Sequence, residues 1–314
     1  MRVSVSHIIF FALTAIFWGG SFLAVRESVE VFPPFFAAAM RVGIATFIMM
    51  VLMVYRNGDR VPRDIRLSML ANGLFTLGFP WALLFWGEQY IAPAMAGIIN
   101  ATTPLFTVVI ATLVVRREKS AWNKWLGVVL GFFGVLIIFA PKISAGAGSD
   151  IKGMLAIVGM AISYGVGIVW LKSLAHRVAP FNAFFYQGLG ALVFLIPLSL
   201  ITEWSGLVNA HWGAQSGWIS ILYLGIFSTA LAQLMFFVII RDLGAVAASA
   251  VTYVPPIIAI ILDRLVYGHF VSLNAIIGAA VILVGVRLVH MRIGKKKPLP
   301  AYSEEGVVVA GDVD

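Results

Sequence analysis

The sequence predicts an all-α polytopic membrane protein, with ten transmembrane helices arranged as two inverted five-helix repeats. Three observations carry that prediction. The first is composition: of 314 residues, 61% are hydrophobic and 11% charged, and the mean hydropathy is +0.98. A soluble domain carries about 25% charged residues. The second is internal repetition. Shifted by 151 positions, Ala94, Ala96, Pro104, Val115, Asn123, Gly127, Gly134 and Val135 coincide with Ala245, Ala247, Pro255, Val266, Asn274, Gly278, Gly285 and Val286. Shifted by 146, Ala15, Ile16, Gly19, Arg26, Pro34 and Ala37 coincide with Ala161, Ile162, Gly165, Lys172, Pro180 and Ala183. The third is the placement of the cations along the chain.

Apolar runs of about 20 residues, long enough to cross a bilayer's hydrocarbon core, recur at residues 7–25, 33–55, 67–87, 92–115, 122–140, 153–171, 180–202, 217–240, 245–267 and 273–291. The first is not read as a signal peptide, because no small-residue cleavage site follows and the rest of the chain is equally apolar. With the N-terminus placed in the cytoplasm, seventeen of the 22 Lys and Arg residues fall on the inner side. Arg26, Lys142 and Lys152 fall outside, and Arg41 and Arg264 lie within spans. Short cytoplasmic loops retain positive charge, so both termini are expected to be cytoplasmic.

The domain boundaries follow. Residues 1–140 form the first repeat, and 141–152, with Gly146, Gly148 and Ser149, an external linker. Residues 153–291 form the second repeat and 292–314 a disordered cytoplasmic tail. That tail has charge, Pro and Gly but little that could pack. An odd number of spans per half threads the second copy in the opposite sense, an architecture used for alternating access around a midplane site. Without cysteine there are no disulfides and no thiolate metal sites or nucleophiles. No HExxH, GxSxG or GxxxxGK[ST] pattern is present to support metalloprotease, hydrolase or nucleotide chemistry. No cofactor, metal or nucleic acid is therefore expected. The expected partners are the lipid bilayer and a small-molecule substrate, and one copy of the chain suffices for a carrier.

The segments AIFWGGSFLAVR, PPFFAAAMR, AGIINATTPLFTVVIATLVVRRE, YLGIFSTALAQLMFFVIIRDLGAVAASAVTYVPPIIAIILDRLVYGH and IGAAVILVGV, taken in register, resemble the drug/metabolite transporter superfamily, specifically its ten-helix EamA-type exporters. The resemblance covers residues 7–291. It implies two inverted five-helix bundles in a bacterial inner membrane that move amino acids or other small metabolites, mostly outward. The chain departs from the family pattern at one place. The helix after the second-half proline commonly ends in Gly-Glu, whereas His269 follows Gly268 here; the first-half position keeps Glu118.

Candidate site residues come from the polar and aromatic groups within the spans. Arg41 lies well inside span two, where a charge costs about 2.5–3.5 kcal/mol on insertion scales and an arginine cannot escape by neutralising. It is expected either to bind a substrate carboxylate or to be satisfied by its own bundle. Gln187 is its counterpart in the repeat. Trp18, beside Gly19 and Gly20, and Tyr164, beside Gly165, are candidate cavity walls, since paired glycines let a backbone or a ligand approach. Pro104 and Pro255-Pro256 are expected to break spans four and nine and free carbonyls. Asn100, Thr103 and Tyr253 are then candidates to meet a polar substrate. Trp81 suits a flat apolar side chain.

Glu88, Asp263 and His269 are gating or coupling candidates at the outer side. Glu88 is expected to be exposed and ionised; burial would instead make it a proton carrier. Asp263 and Arg264, about 100° apart on a helix, are not expected to pair. His269 is expected in a solvated turn. Export of amino acids or related zwitterions fits these residues first. Efflux of amphipathic drugs or another metabolite, and a scaffold role, stay open beside it.

Overall fold

The computed structural model describes residues 4–55, 61–114, 122–144, 148–174, 177–243, 251 and 254–291. Helix α1 (Val5–Val31) opens on Ser4, whose side chain accepts from the His7 backbone N–H in a reciprocal capping box. It runs six residues past the expected apolar stretch, and Arg26 and Glu30, one turn apart, pair along that extension. It stops at Phe32, which precedes Pro33 and is extended (φ −118, ψ 153), as sterics require before a proline. Helix α2 (Pro34–Tyr55) then begins on a proline. Its first free N–H groups, on Phe35 and Phe36, donate to the Glu203 carboxylate at 2.9 and 3.0 Å. A residue 168 positions away in sequence thereby caps the second helix.

Helix α3 (Arg63–Gly87) is interrupted by a π-helical turn at Leu74–Gly78. Pro80 has no N–H for the carbonyl four residues back, and the wider turn, in which the Phe79 N–H reaches the Leu74 carbonyl, absorbs that loss. Helices α4 (Pro93–Asn100) and α5 (Thr103–Val114) are the two halves of the expected fourth span, broken just before Pro104. Next come α6 (Trp122–Ser144), α7 (Gly148–Leu174), α8 (Pro180–Thr202) and the short α9 (Trp204–Val208). Helix α10 runs from Gln215–Leu222 through a π-helical stretch, Tyr223–Leu231, into Ala232–Leu243. Helix α11 (Pro255–Tyr267) ends on Gly268, whose φ of +70° is the left-handed cap that favours glycine. Helix α12 (Leu273–His290) starts at the Ser272 cap.

Eight of these helical stretches, among the described residues, are long and apolar enough to cross a membrane, and the fold is an all-α polytopic membrane bundle. Part of the expected linker 141–152 is helical. Helix α6 continues through Pro141 to Ser144, and α7 already begins at Gly148. Of the expected ninth span, residues 245–250 lie outside the described residues, as do Tyr253 and the tail 292–314.

Close helix contacts depend on glycine at a few positions. A Cβ on Gly127 would collide with the Gly285 carbonyl, and one on Gly134 would lie 2.7 Å from the Gly278 carbonyl. The Gly127-x-x-x-Gly131 seam is therefore filled within the chain by α6 against α12. Helices α3 and α8 cross as closely: a Cβ on Gly73 would strike the Gln187 carbonyl, and one on Gly190 the Leu70 carbonyl.

Candidate functional site

Three candidates named from sequence meet in the structure. Arg41 (α2), 5% exposed, lays its guanidinium over the Trp81 ring of α3, with Cζ 4.0 Å from the ring centroid. The indole Nε1 of Trp81 donates to the hydroxyl of Tyr164 on α7. Arg41 Nε donates to Thr229 Oγ1 at 3.0 Å, and Nη2 lies 3.5 Å from Ser228 Oγ, the outer limit of a bond. Both hydroxyls sit in the π-helical part of α10, a distortion that often marks functional sites. Arg41 Nη1 is buried with no hydrogen-bond partner among the described residues. A desolvated guanidinium over an indole face is held by about 2 kcal/mol or more of cation–π attraction, which fixes its plane while one edge stays unpaired.

The site is completed by residues that sequence patterns did not single out. Tyr223, at the start of the π-helical stretch, donates to the Phe17 carbonyl at 3.2 Å and fills the space that Gly20 leaves in α1. The neighbouring Gly19 accommodates Ile258 of α11. These paired glycines thus admit protein side chains. The signal for a distorted α3 was Pro80; nothing comparable marks Tyr223–Leu231.

Other candidates lie elsewhere. Gln187 is not beside Arg41. Its amide donates to Asn72 Oδ1 at 2.7 Å, and Asn72 donates to the Gly167 carbonyl at 2.9 Å, forming a buried network at the α3–α8 crossing. The reason is geometric: Arg41 and Gln187 lie equally far from the starts of helices α2 and α8, and those two starts are at opposite ends of the bundle, since Glu203 at the end of α8 caps the start of α2. Trp18 packs on Phe236, ring centroids 5.0 Å apart, in a separate cluster with Ala15, Ile239 and Val251. At the α4–α5 break, Thr103 Oγ1 donates to the Asn100 carbonyl at 2.8 Å and to its side-chain oxygen at 3.2 Å. Asn100 and Thr103 thus satisfy the break itself. Tyr253 lies outside the described residues.

The three coupling candidates gather at one end of the bundle. Glu88, expected to be exposed, is fully buried. It is the first residue beyond α3, tucked in because Arg26 Nη1 holds its backbone carbonyl at 2.7 Å. Neither carboxylate oxygen has a hydrogen-bond partner among the described residues. Burial pushes its carboxyl well above the usual carboxylate range and Asp263 adds to that, while Arg26 and Arg41 pull the other way. Asp263, buried, pairs with His269 Nδ1 at 3.0 Å, and His269 stacks on Tyr267. Tyr267 in turn donates to Glu27. Arg264 turns away from Asp263, donates to the Gly268 carbonyl and covers Phe270, so the two neighbours do not pair. A cavity of about 600 Å³ at this end is lined by Arg26, Glu30, Gln89, Asp263, Tyr267 and His269, among others.

Long apolar helices enclosing a buried, half-satisfied cation make a membrane-embedded helical bundle. The chain belongs to the EamA-like transporter family, whose sequence profile matches it twice, at residues 5–140 and 151–291. It is a small-molecule transporter, and the family is not catalytic. An uncharacterised transporter of Archaeoglobus fulgidus is 25% identical over 88% of this chain and 96% of its own length. Protein PagO of Salmonella typhimurium is 26% identical over 91% and 93%, and the uncharacterised inner membrane transporter YedA of Escherichia coli 25% over 90% of each. One solved crystal structure, 20% identical, shares the fold with a TM-score of 0.61 over 90% of this chain and 96% of that one.

Proposed function

We propose that the chain exports amino acids or related small zwitterionic metabolites by alternating access, with Arg41 holding the substrate carboxylate. The observation that carries this reading is the buried, unpartnered Nη1 of Arg41. Trp81 and Tyr164 wall the site, and Thr229 and Ser228 set the guanidinium's orientation. The expected second halves of this scheme come with it. Ten spans form two inverted repeats, 1–140 and 153–291, joined by 141–152 on the outer side, with the tail 292–314 and both termini in the cytoplasm of an inner-membrane protein. Support comes from the cation distribution, from the doubled profile match, and from π-helical turns in both α3 and α10, the third and eighth expected spans. In this frame Asp263–His269 and Glu27–Tyr267 close the outer side. The outward direction rests on the family resemblance.

The test is counterflow. Proteoliposomes loaded with one unlabelled amino acid should accumulate the labelled form when the protein is present. Accumulation of no amino acid, across the full proteinogenic set, would remove the reading. A second reading, efflux of amphipathic compounds, is favoured by an apolar groove of about 440 Å³ lined by Phe75, Phe79, Trp86 and Phe194. It predicts dye efflux that Arg41→Ala leaves intact.

A further inference from the structure

We propose that Glu88 receives the ammonium group of the substrate whose carboxylate Arg41 holds, so that the site selects α-amino acids over plain carboxylates and plain amines. This rests on the role given to Arg41 above and adds the opposite pole.

A buried cation and a buried carboxyl, each incomplete, are the starting observations. Arg41 has a free Nη1 and Glu88 two free carboxylate oxygens among the described residues. A buried guanidinium or ionised carboxyl without a partner is costly. Burial therefore holds the Glu88 carboxyl above its usual range, and a substrate cation would favour its ionised form. The cation in contact with the Glu88 backbone does not pair with its carboxylate. Arg26 directs Nε to Glu30 and Nη1 to the Glu88 carbonyl, not to its carboxylate. The charged groups acting on Glu88 are Arg26 from α1, Arg41 from α2 and Asp263 from α11. Asp263 is already paired with His269.

Placement supplies the second argument. Trp81 and Glu88 are seven residues apart, which on an α-helix leaves them about 20° from the same face and about 10 Å apart along the axis. The Arg41 guanidinium lies over Trp81, so the cation and the carboxylate are aligned along one face of α3. The head of an amino acid with a hydrogen bond at each end spans roughly 8–9 Å, the scale of that axial offset. Glu88 is also two turns nearer the end that holds the 600 Å³ cavity. A plain carboxylate would bring Glu88 no cation. A polyamine would meet the charge of Arg41. A zwitterion satisfies both groups together.

The test uses purified full-length protein and isothermal titration. Each proteinogenic amino acid is screened, and the tightest binder is compared with its deaminated and decarboxylated analogues. For phenylalanine these are 3-phenylpropanoate and 2-phenylethylamine. Wild type should prefer the amino acid over the deaminated analogue by about 30-fold or more, the cost of leaving a buried charge unpaired. Glu88→Gln should reduce that preference to within about threefold, while Arg41→Ala should reduce discrimination against the decarboxylated analogue. Glu88→Asp, which keeps the charge but withdraws it, should give an intermediate preference and serves as the readout if the Gln variant does not fold. Retention of the full amine preference in a folded Glu88→Gln protein, or in Glu88→Asp where that is the readout, would overturn the proposal and leave the role of Arg41 intact. No binding of any amino acid to wild type would overturn both.

Discussion

Replacing Arg41 with lysine keeps the charge and removes the fork, and the structure allows the consequence to be sized. Arginine donates from Nε to Thr229 Oγ1 at 3.0 Å, a hydrogen bond from a charged group worth about 1.5–3 kcal/mol. Its flat guanidinium lies 4.0 Å over Trp81, worth about 2 kcal/mol or more for this buried pair. The 3.5 Å approach to Ser228 is too long to add much. A lysine has one nitrogen for all these partners, and when buried it sheds its proton more readily than arginine. Those contacts exist without substrate, so their loss falls on stability. At the substrate, loss of one forked charge-assisted hydrogen bond, worth about 1.5–3 kcal/mol, corresponds to about 10- to 150-fold weaker binding. Titration of substrate into folded Arg41→Lys protein, with its melting curve recorded alongside, measures this. Binding within threefold of wild type would show that charge alone suffices and that the fork and the stacked indole play no part.

Further expectations follow from packing and charge. Gly73→Ala should lower the melting temperature in detergent, because its Cβ meets the Gln187 backbone and overpacking costs about 1–3 kcal/mol. Gly148→Ala, with nothing within 4 Å of the added carbon, should leave the melting temperature unchanged; equal effects of the two would contradict the α3–α8 crossing. Burial raises the Glu203 carboxyl above its usual range, and the N–H groups of Phe35 and Phe36 only partly offset this. A raised carboxyl contributes stability that is complete below the ordinary value of about 4.3 and is lost as pH rises through the folded value. Melting temperature should therefore decline across that window, with a smaller slope in Glu203→Gln. An unchanged slope would remove Glu203 from the cause.

The bundle was legible in the sequence because long apolar runs and prolines act locally. Pro33, Pro93 and Pro180 stand where helices start or stop, and Thr102-Thr103-Pro104 marks the α4–α5 break. Arg41, Trp81 and Tyr164 were legible as site candidates for a related reason: a charge or a polar aromatic tip inside a span needs a partner. Which partner it finds depends on helix rotation and axial position, and a linear pattern does not carry those. Gln187 went to Asn72 because α2 and α8 run from opposite ends. Trp18 turned to Phe236, and the hydroxyls at Asn100–Thr103 turned back on their own break. Glu88 was misread because a residue just past an apolar run looks solvated, and only the distant Arg26 shows that the chain folds it inward. Ser228 and Thr229 were visible as hydroxyls, but their service to Arg41 depends on a π-helical stretch that has no proline to announce it.

In the proposed cycle, Arg41 meets the substrate from either side of the membrane. Because the chain contains no cysteine, a single Ser228→Cys change places a thiol beside Arg41 in an otherwise unreactive protein. The direct measurement is maleimide labelling of that thiol in oriented proteoliposomes, from each face in turn, with and without the amino acid that gives counterflow. The account predicts labelling from both faces, slowed by the substrate. Labelling from one face alone, at a rate indifferent to substrate, would contradict it.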